Sequence, residues 1–171
     1  MIEQSLVLIK PDGVERGLIG EVINRFERRG MKITALKMVW ADENLAMKHY
    51  TDDITKRRGE KVRNMLVKFI TEGPIVAMVV EGADAVEVVR KIVGATEPKS
   101  ALPGTIRGDY CHISFSHADS IEVPIKNVIH SSGNAEEAKQ EISIWFKPQE
   151  ILDYMRVEEL ITIGRKAFKK D

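Results

Sequence analysis

The chain has 171 residues, 43% hydrophobic and 30% charged, which fits one folded domain and excludes a disordered segment. Basic and acidic residues number 26 each, and a formal net charge of zero argues against a general nucleic-acid binder. The single cysteine, Cys111, excludes an internal disulfide and a multi-thiolate metal site; no apolar stretch is long enough to cross a bilayer and the opening residues are unlike a signal peptide, so a cytoplasmic setting is expected.

Ser5-Leu6-Val7-Leu8-Ile9 is short and apolar and runs into Lys10-Pro11-Asp12-Gly13, so it reads as a buried strand ending in a turn. Leu18, Ile19, Val22, Ile23 and Phe26 recur on one helical face, with Gly30 as the stop. Lys32 to Trp40 alternates in part, Leu36, Met38 and Trp40 facing one way and Lys37 and Val39 the other, the pattern of a half-buried strand. Asp42 begins a short helix to about Tyr50, and the charged stretch Thr51 to Lys61 follows. Val62, Met65, Leu66, Phe69 and Ile70 mark another helix, which Gly73-Pro74 breaks.

Ile75 to Val80 has the length of a strand, and Val86, Val89 and Val93 mark a helix closed by Gly94. Ala95 to Asp109 has no periodicity and reads as a long loop, with Cys111 to Phe115 as the expected fourth strand. A polar loop containing Pro124 leads to Asn127-Val128-Ile129-His130. The last helix starts near Asn134, whose spacing to Glu137 is that of a capping box, and turns Ala138, Ile142 and Trp145 inward. The order predicts an α+β fold, a ferredoxin-like βαββαβ antiparallel sheet covered by helices. Residues 1–155 form the expected domain, and 156–171, basic at Lys166, Lys169 and Lys170, a surface extension packed on it or trailing it.

No P-loop, dinucleotide fingerprint, His-Glu-x-x-His, EF-hand loop or Gly-x-Ser-x-Gly is present. What remains is His130, just before the start of the last helix, where free N–H groups and the helix dipole favour an anion. Imidazole, with an unperturbed pKa of roughly 6.5, is a competent nucleophile near neutrality once its tautomer is fixed. Glu141 is placed to fix it, with Ser132 as a bridge; His49, His112 and His117 lack this combination and are read as structural. Lys10 ends the first strand, Arg107 lies between Gly104 and Gly108, and Arg90 follows Val86 by one helical turn. Taken singly, each is more often a solvated charge, and His130 an ordinary loop histidine. Together they would clamp a polyphosphate.

At that point the chain becomes specific. Asn127-Val128-Ile129-His130-Ser131-Ser132 closely resembles the active-site signature of nucleoside diphosphate kinases. Leu8-Ile9-Lys10-Pro11-Asp12-Gly13-Val14, Gly73-Pro74-Ile75-Val76-Ala77-Met78 and Pro103-Gly104-Thr105-Ile106-Arg107-Gly108-Asp109 resemble further segments of that family, in its order, and Glu141-Ile142 and Trp145-Phe146 continue the likeness. The resemblance implies a ping-pong transfer of the γ-phosphoryl group from a nucleoside triphosphate to a nucleoside diphosphate through phosphohistidine. It makes His130 the nucleophile, oriented by Glu141 and Ser132, with Lys10 and Tyr50 beside the transferred group. It assigns Arg90, Thr96 and Arg107 to the phosphates and Asn127 to the ribose and phosphate end. It also implies magnesium (Mg2+) carried by the nucleotide, broad base tolerance and a homo-oligomer, hexamer or tetramer, with Pro98 to Gly104 near subunit contacts. Neither a membrane nor a nucleic acid is an expected partner.

The chain departs from the family pattern at named places. Ser131 and Gly133 stand where most members have glycine and aspartate, and Val62 where most have the aromatic that stacks on the base, leaving Phe115 as a substitute. The stretches 51–61 and 116–126 are longer than is usual. These departures raise the alternative of a catalytically weakened relative that binds nucleotides without turnover. A ferredoxin-like RNA module is disfavoured, since only 6% of residues are aromatic.

Overall fold

β1 (Ile2–Ile9) and β3 (Ile75–Ala83) lie side by side at the centre of a four-stranded antiparallel sheet of order β2-β3-β1-β4, with β2 at Lys32–Val39 and β4 at Ile129–Ser131. Residues 1–164 are described, in a computed structural model; Lys166, Lys169 and Lys170 of the basic tail lie outside them. The two central strands read as unbroken apolar runs because both their faces are covered. Leu6, Leu8, Ala77 and Val79 join one core, and Val7, Ile9, Met78 and Val80 join the other. Full burial of a side chain such as Leu8 or Ile9 contributes about 1.5–3 kcal/mol.

The helices segregate by face. α2 (Ile19–Arg28) and α6 (Ala85–Val93) cover the Val7 side with Val22, Phe26, Val89 and Val93. α3 (Glu43–His49), α5 (Glu60–Thr71) and α9 (Ala135–Trp145) cover the Leu6 side with Ala46, Ile70, Ile142 and Trp145. The alternation expected in β2 is present, but its Leu36, Met38 and Trp40 row stays outside at 52%, 58% and 68% exposure. The chain end runs beside this edge strand: Leu152 N donates to Thr34 O, and Tyr154 Oη to Ile33 O.

The fourth strand is corrected. Cys111 to Phe115 forms no strand; β4 is Ile129–Ser131, paired through Ile9↔Ile129, Leu8↔His130 and Val7↔Ser131. At three residues it is too short to show a period. Short polar helices also fill places expected as turn, charged stretch or loop: α1 (Pro11–Glu15), α4 (Asp52–Arg58), α7 (Ile106–Tyr110) and α8 (Phe115–Ser120), with a 3-10 turn at Pro98–Ser100.

Candidate active site

β4 places His130 opposite Leu8 and so on the sheet face shared with α3 and α9. There His130 Nε2 lies 2.9 Å from Glu141 Oε1. Glu141 is largely buried, which alone would raise its pKa. The hydrogen bond from His130, joined by that from Ser132, outweighs this and holds its carboxyl below the usual range. An ionised carboxylate only accepts, so Nε2 carries the proton and Nδ1 keeps its lone pair. Ser132 Oγ donates to Glu141 Oε2 at 2.6 Å and accepts from Leu6 N at 3.1 Å, which ties the carboxylate to the backbone of β1.

His49, read from the sequence as structural, belongs to this group. Its ring stands edge-on to His130, 4.5 Å between centroids and 87° between planes. Its Nδ1 accepts from Trp145 Nε1 at 3.3 Å, and its Nε2 is buried without a hydrogen-bond partner among the described residues. Burial, and next the neighbouring His130, push its pKa down to about 3, so it stays neutral. His49, His130 and Glu141 offer ligand atoms within 4.8 Å of one another, a spacing compatible with a metal ion. Both Glu141 oxygens already accept hydrogen bonds, however, so the trio is built as it stands to hold an imidazole.

The start of α9 does not serve as the expected anion site. Asn134 Oδ1 accepts from Glu137 N, Glu137 Oε2 accepts from Gly133 N, and Glu136 and Glu137 fill the first turn. The cap closes the helix start and makes it acidic. Gly133 leaves room for this, since a Cβ there would come within 2.6 Å of Glu137 Oε2.

The cations gather on the other side of His130. Lys10, Arg90, Thr96, Arg107, Asn127, Tyr50, His130 and Ser131 all line one lobe of the cleft, of about 210 Å³. Lys10 Nζ donates to Asn127 Oδ1 at 2.7 Å, and Asn127 Nδ2 to Thr96 O at 2.8 Å. Burial, and next the Arg107 charge, lower the Lys10 pKa to about 8, so the amine is cationic at neutrality. Arg107 is 7% exposed; its guanidinium donates to the carbonyls of Gly94, Asn127 and Ile129. Three of its five N–H groups are used there, and the cation is held rigidly. Arg90 is exposed at the rim. Tyr50 is buried, which raises its pKa, and its ring meets His49 edge-on at 4.8 Å.

Asn127 and His130 flank a tight reversal. Ile129 N donates to Asn127 O at 2.7 Å, closing a γ-turn whose middle residue, Val128, has φ 66°. A β-branched residue there costs about 1–3 kcal/mol and persists only where its surroundings impose it.

A second lobe of about 400 Å³ opens on the α4 side and shares Tyr50, Arg58, Leu66 and His130 with the first. Neither Val62 nor Phe115 lines either lobe; Phe115 instead starts α8 and donates its N–H to Glu97 Oε1. Aliphatic Leu66 and Ile125 line the mouth instead. Spacing alone gave no sign of His49 or Ile125, because neither belongs to a local pattern.

A carboxylate-held histidine opening on a cradle of buried cations is the arrangement of a phosphotransferase. The family model for nucleoside diphosphate kinase matches residues 3–151, and the chain belongs to that family. The nucleoside diphosphate kinase of Borreliella burgdorferi is 53% identical over 160 residues, 93% of this chain and 96% of that protein. Among solved structures, a transition-state mimic of the Borrelia burgdorferi enzyme with vanadate and ADP is 53% identical with a TM-score of 0.91, covering 94% of this chain and 96% of that one. A halophilic enzyme from Halobacterium salinarum in complex with CDP is 39% identical with a TM-score of 0.80, covering 94% and 98%. No helix among the described residues is long and apolar enough to cross a membrane.

Proposed function

We propose that His130 carries the phosphoryl group in a two-step exchange between nucleotides. Nδ1 attacks the γ-phosphorus of a nucleoside triphosphate; a P–N bond forms as the bond to the β,γ-bridging oxygen breaks, and the diphosphate leaves with that electron pair. A terminal oxygen of a second diphosphate then attacks the same phosphorus, and the P–N electrons return to Nδ1. The observation that carries this reading is the His130–Glu141 bond, which leaves Nδ1 free on a ring that lines the same lobe as Lys10 and Arg107. As the ring gains positive charge on phosphorylation, the Glu141 carboxylate stabilises it. Ser132 keeps that carboxylate in place. Lys10 and Tyr50 stand by the transferred group, Arg90, Thr96 and Arg107 take the phosphates, and Asn127 takes the ribose and phosphate end.

Magnesium would arrive on the nucleotide phosphates and neutralise part of their charge; among the described residues no carboxylate lines the phosphate lobe to hold the ion otherwise. The relatives' complexes with ADP and CDP, a purine and a pyrimidine, support tolerance of the base. A cytoplasmic homo-oligomer, tetramer or hexamer, completes the reading. The exposed row of Leu36 and Met38 on the edge strand and Trp40 just past its end, with Leu102 at 74% exposure, supports the oligomer, and light scattering measures it.

Incubation with γ-labelled ATP tests the reaction. The expected product is an acid-labile, base-stable label on His130 that any nucleoside diphosphate removes. An unlabelled wild-type protein, or a His130→Ala variant that still turns over, overturns the reading.

A further inference from the structure

We propose that Asp12 is a positioning residue for the nucleophile: it clamps Val128 in the γ-turn of positive φ, and that turn fixes where Asn127 and His130 stand. The inference rests on His130 being the phosphoryl carrier.

The grip on Val128 comes from one short segment. Lys10 N donates to Val128 O at 2.8 Å, and Val128 N donates to Asp12 Oδ2 at 2.9 Å, so a single peptide unit on each side of Val128 is held by the start of α1. Gly13 closes the same contact. A Cβ there would come within 3.0 Å of Val128 O, 3.1 Å of Val128 Cγ1 and 2.8 Å of Ile9 Cγ2. From the opposite side Arg107 donates to Ile129 O at 2.7 Å and to Asn127 O at 3.4 Å. Valine is among the residues least suited to positive φ, so without these contacts the backbone would relax toward the extended region.

The placement links this strain to chemistry. The residue before Val128 is Asn127, which holds Lys10, and His130 follows two positions after it in β4. Relaxing the turn would move the nucleophile and the lysine's partner together. Asp12 is buried, and its second oxygen, Oδ1, has no hydrogen-bond partner among the described residues. A buried acceptor left unsatisfied is unfavourable for folding, which fits a carboxylate kept for what Oδ2 does. The Asp12 charge also raises the Lys10 pKa, so a variant must separate the bond from the charge.

The test uses the full chain and three substitutions, read by the labelling rate of His130 at saturating triphosphate and by kcat and KM. Asp12→Ala removes the acceptor, and kcat should fall roughly 10- to 100-fold with KM within about twofold, the size of effect that misplacing a reacting group by about an ångström produces. Asp12→Asn keeps an acceptor oxygen without the charge and should retain kcat within about threefold. Glycine adopts positive φ without a clamp, so Val128→Gly added to Asp12→Ala should recover at least about fivefold of the loss. Should Asp12→Ala fail to fold, Gly13→Ala, which presses on the same turn, takes its place with the same expectations. A near-normal rate in Asp12→Ala, a loss of equal size in Asp12→Asn, or a double variant no faster than Asp12→Ala overturns the proposal. Absence of label on wild-type His130 would instead overturn the phosphohistidine reading on which it rests.

Discussion

The floor and the mouth of the cleft are held in opposite ways. At the floor, Lys10, Arg107, Asn127 and Ser132 are each buried and tied to backbone or to one another, and Glu141 holds His130 with one oxygen and is held by Ser132 with the other. At the mouth, Arg58 and Arg90 are exposed, and α5 meets the 116–126 stretch through a solvated ion pair, Lys61 to Glu122 at 2.8 Å, both side chains 75% exposed, and through Lys126 Nζ, 5.7 Å from the centre of the Phe69 ring. A floor with its dipoles already aimed needs little reorganisation when charge moves during transfer. A solvated mouth with aliphatic walls makes no directional demand on what it holds. Substitutions should therefore act on kcat at the floor and weakly on KM at the mouth.

Glu141→Gln should produce the largest effect. One amide oxygen cannot accept from both His130 and Ser132 while its NH₂ group faces a second donor, and the charge that would stabilise a phosphorylated ring in the proposed exchange is gone. We expect kcat to fall roughly 10²-fold with KM little changed, by analogy with loss of a carboxylate that orients a catalytic histidine. Equal losses in kcat and in nucleotide affinity would break the distinction between floor and mouth.

Lys10 gives the next effect, in the pH profile. Its pKa in the free protein is lowered to about 8, chiefly by burial, so rising pH through that value removes a cation from the phosphate lobe. Binding a polyanion then requires proton uptake, and kcat/KM should decline by up to about tenfold per pH unit on the alkaline side. Lys10→Arg keeps the charge and should flatten that limb. A limb that stays at the same pH in Lys10→Arg belongs to another group.

The acid side tests His49. Its folded pKa lies near 3, below the ordinary histidine value, so between about pH 6.5 and 3 the unfolded chain binds a proton that the folded chain does not. Stability from this group is complete above that window and is lost as pH falls through it, on the order of a few kcal/mol. His49→Asn keeps an acceptor for Trp145 and does not titrate, so its melting temperature should fall less steeply over the same range. Parallel slopes in the two proteins would remove His49 from the account.

Sequence reading found what local pattern encodes. The apolar runs of β1 and β3 and the faces of α2, α5 and α6 follow from periodicity, and Lys10, Arg107, Asn127, His130 and Glu141 do converge on one cleft. It missed what only tertiary contacts create. β4 has three residues and draws its identity from pairing with β1. Val128 adopts a conformation that its own side chain opposes, because Lys10, Asp12 and Arg107 impose it from distant parts of the chain. His49 sits beside His130 because α3 packs on α9, a contact with no local signature.

The smallest expected effect lies at Lys61. The pair with Glu122 joins the 51–61 and 116–126 stretches, so a strap that closes over the cleft would depend on it. Its exposure argues otherwise: charges in solvent gain little from pairing, lose side-chain freedom, and are screened by salt over about 10 Å at 0.1 M. Lys61→Ala should change KM by less than about twofold, with kcat unaltered, and the change should vanish at high salt. A larger effect that persists at high salt would mean that the two stretches act as one ordered cover, and that the mouth is preorganised like the floor.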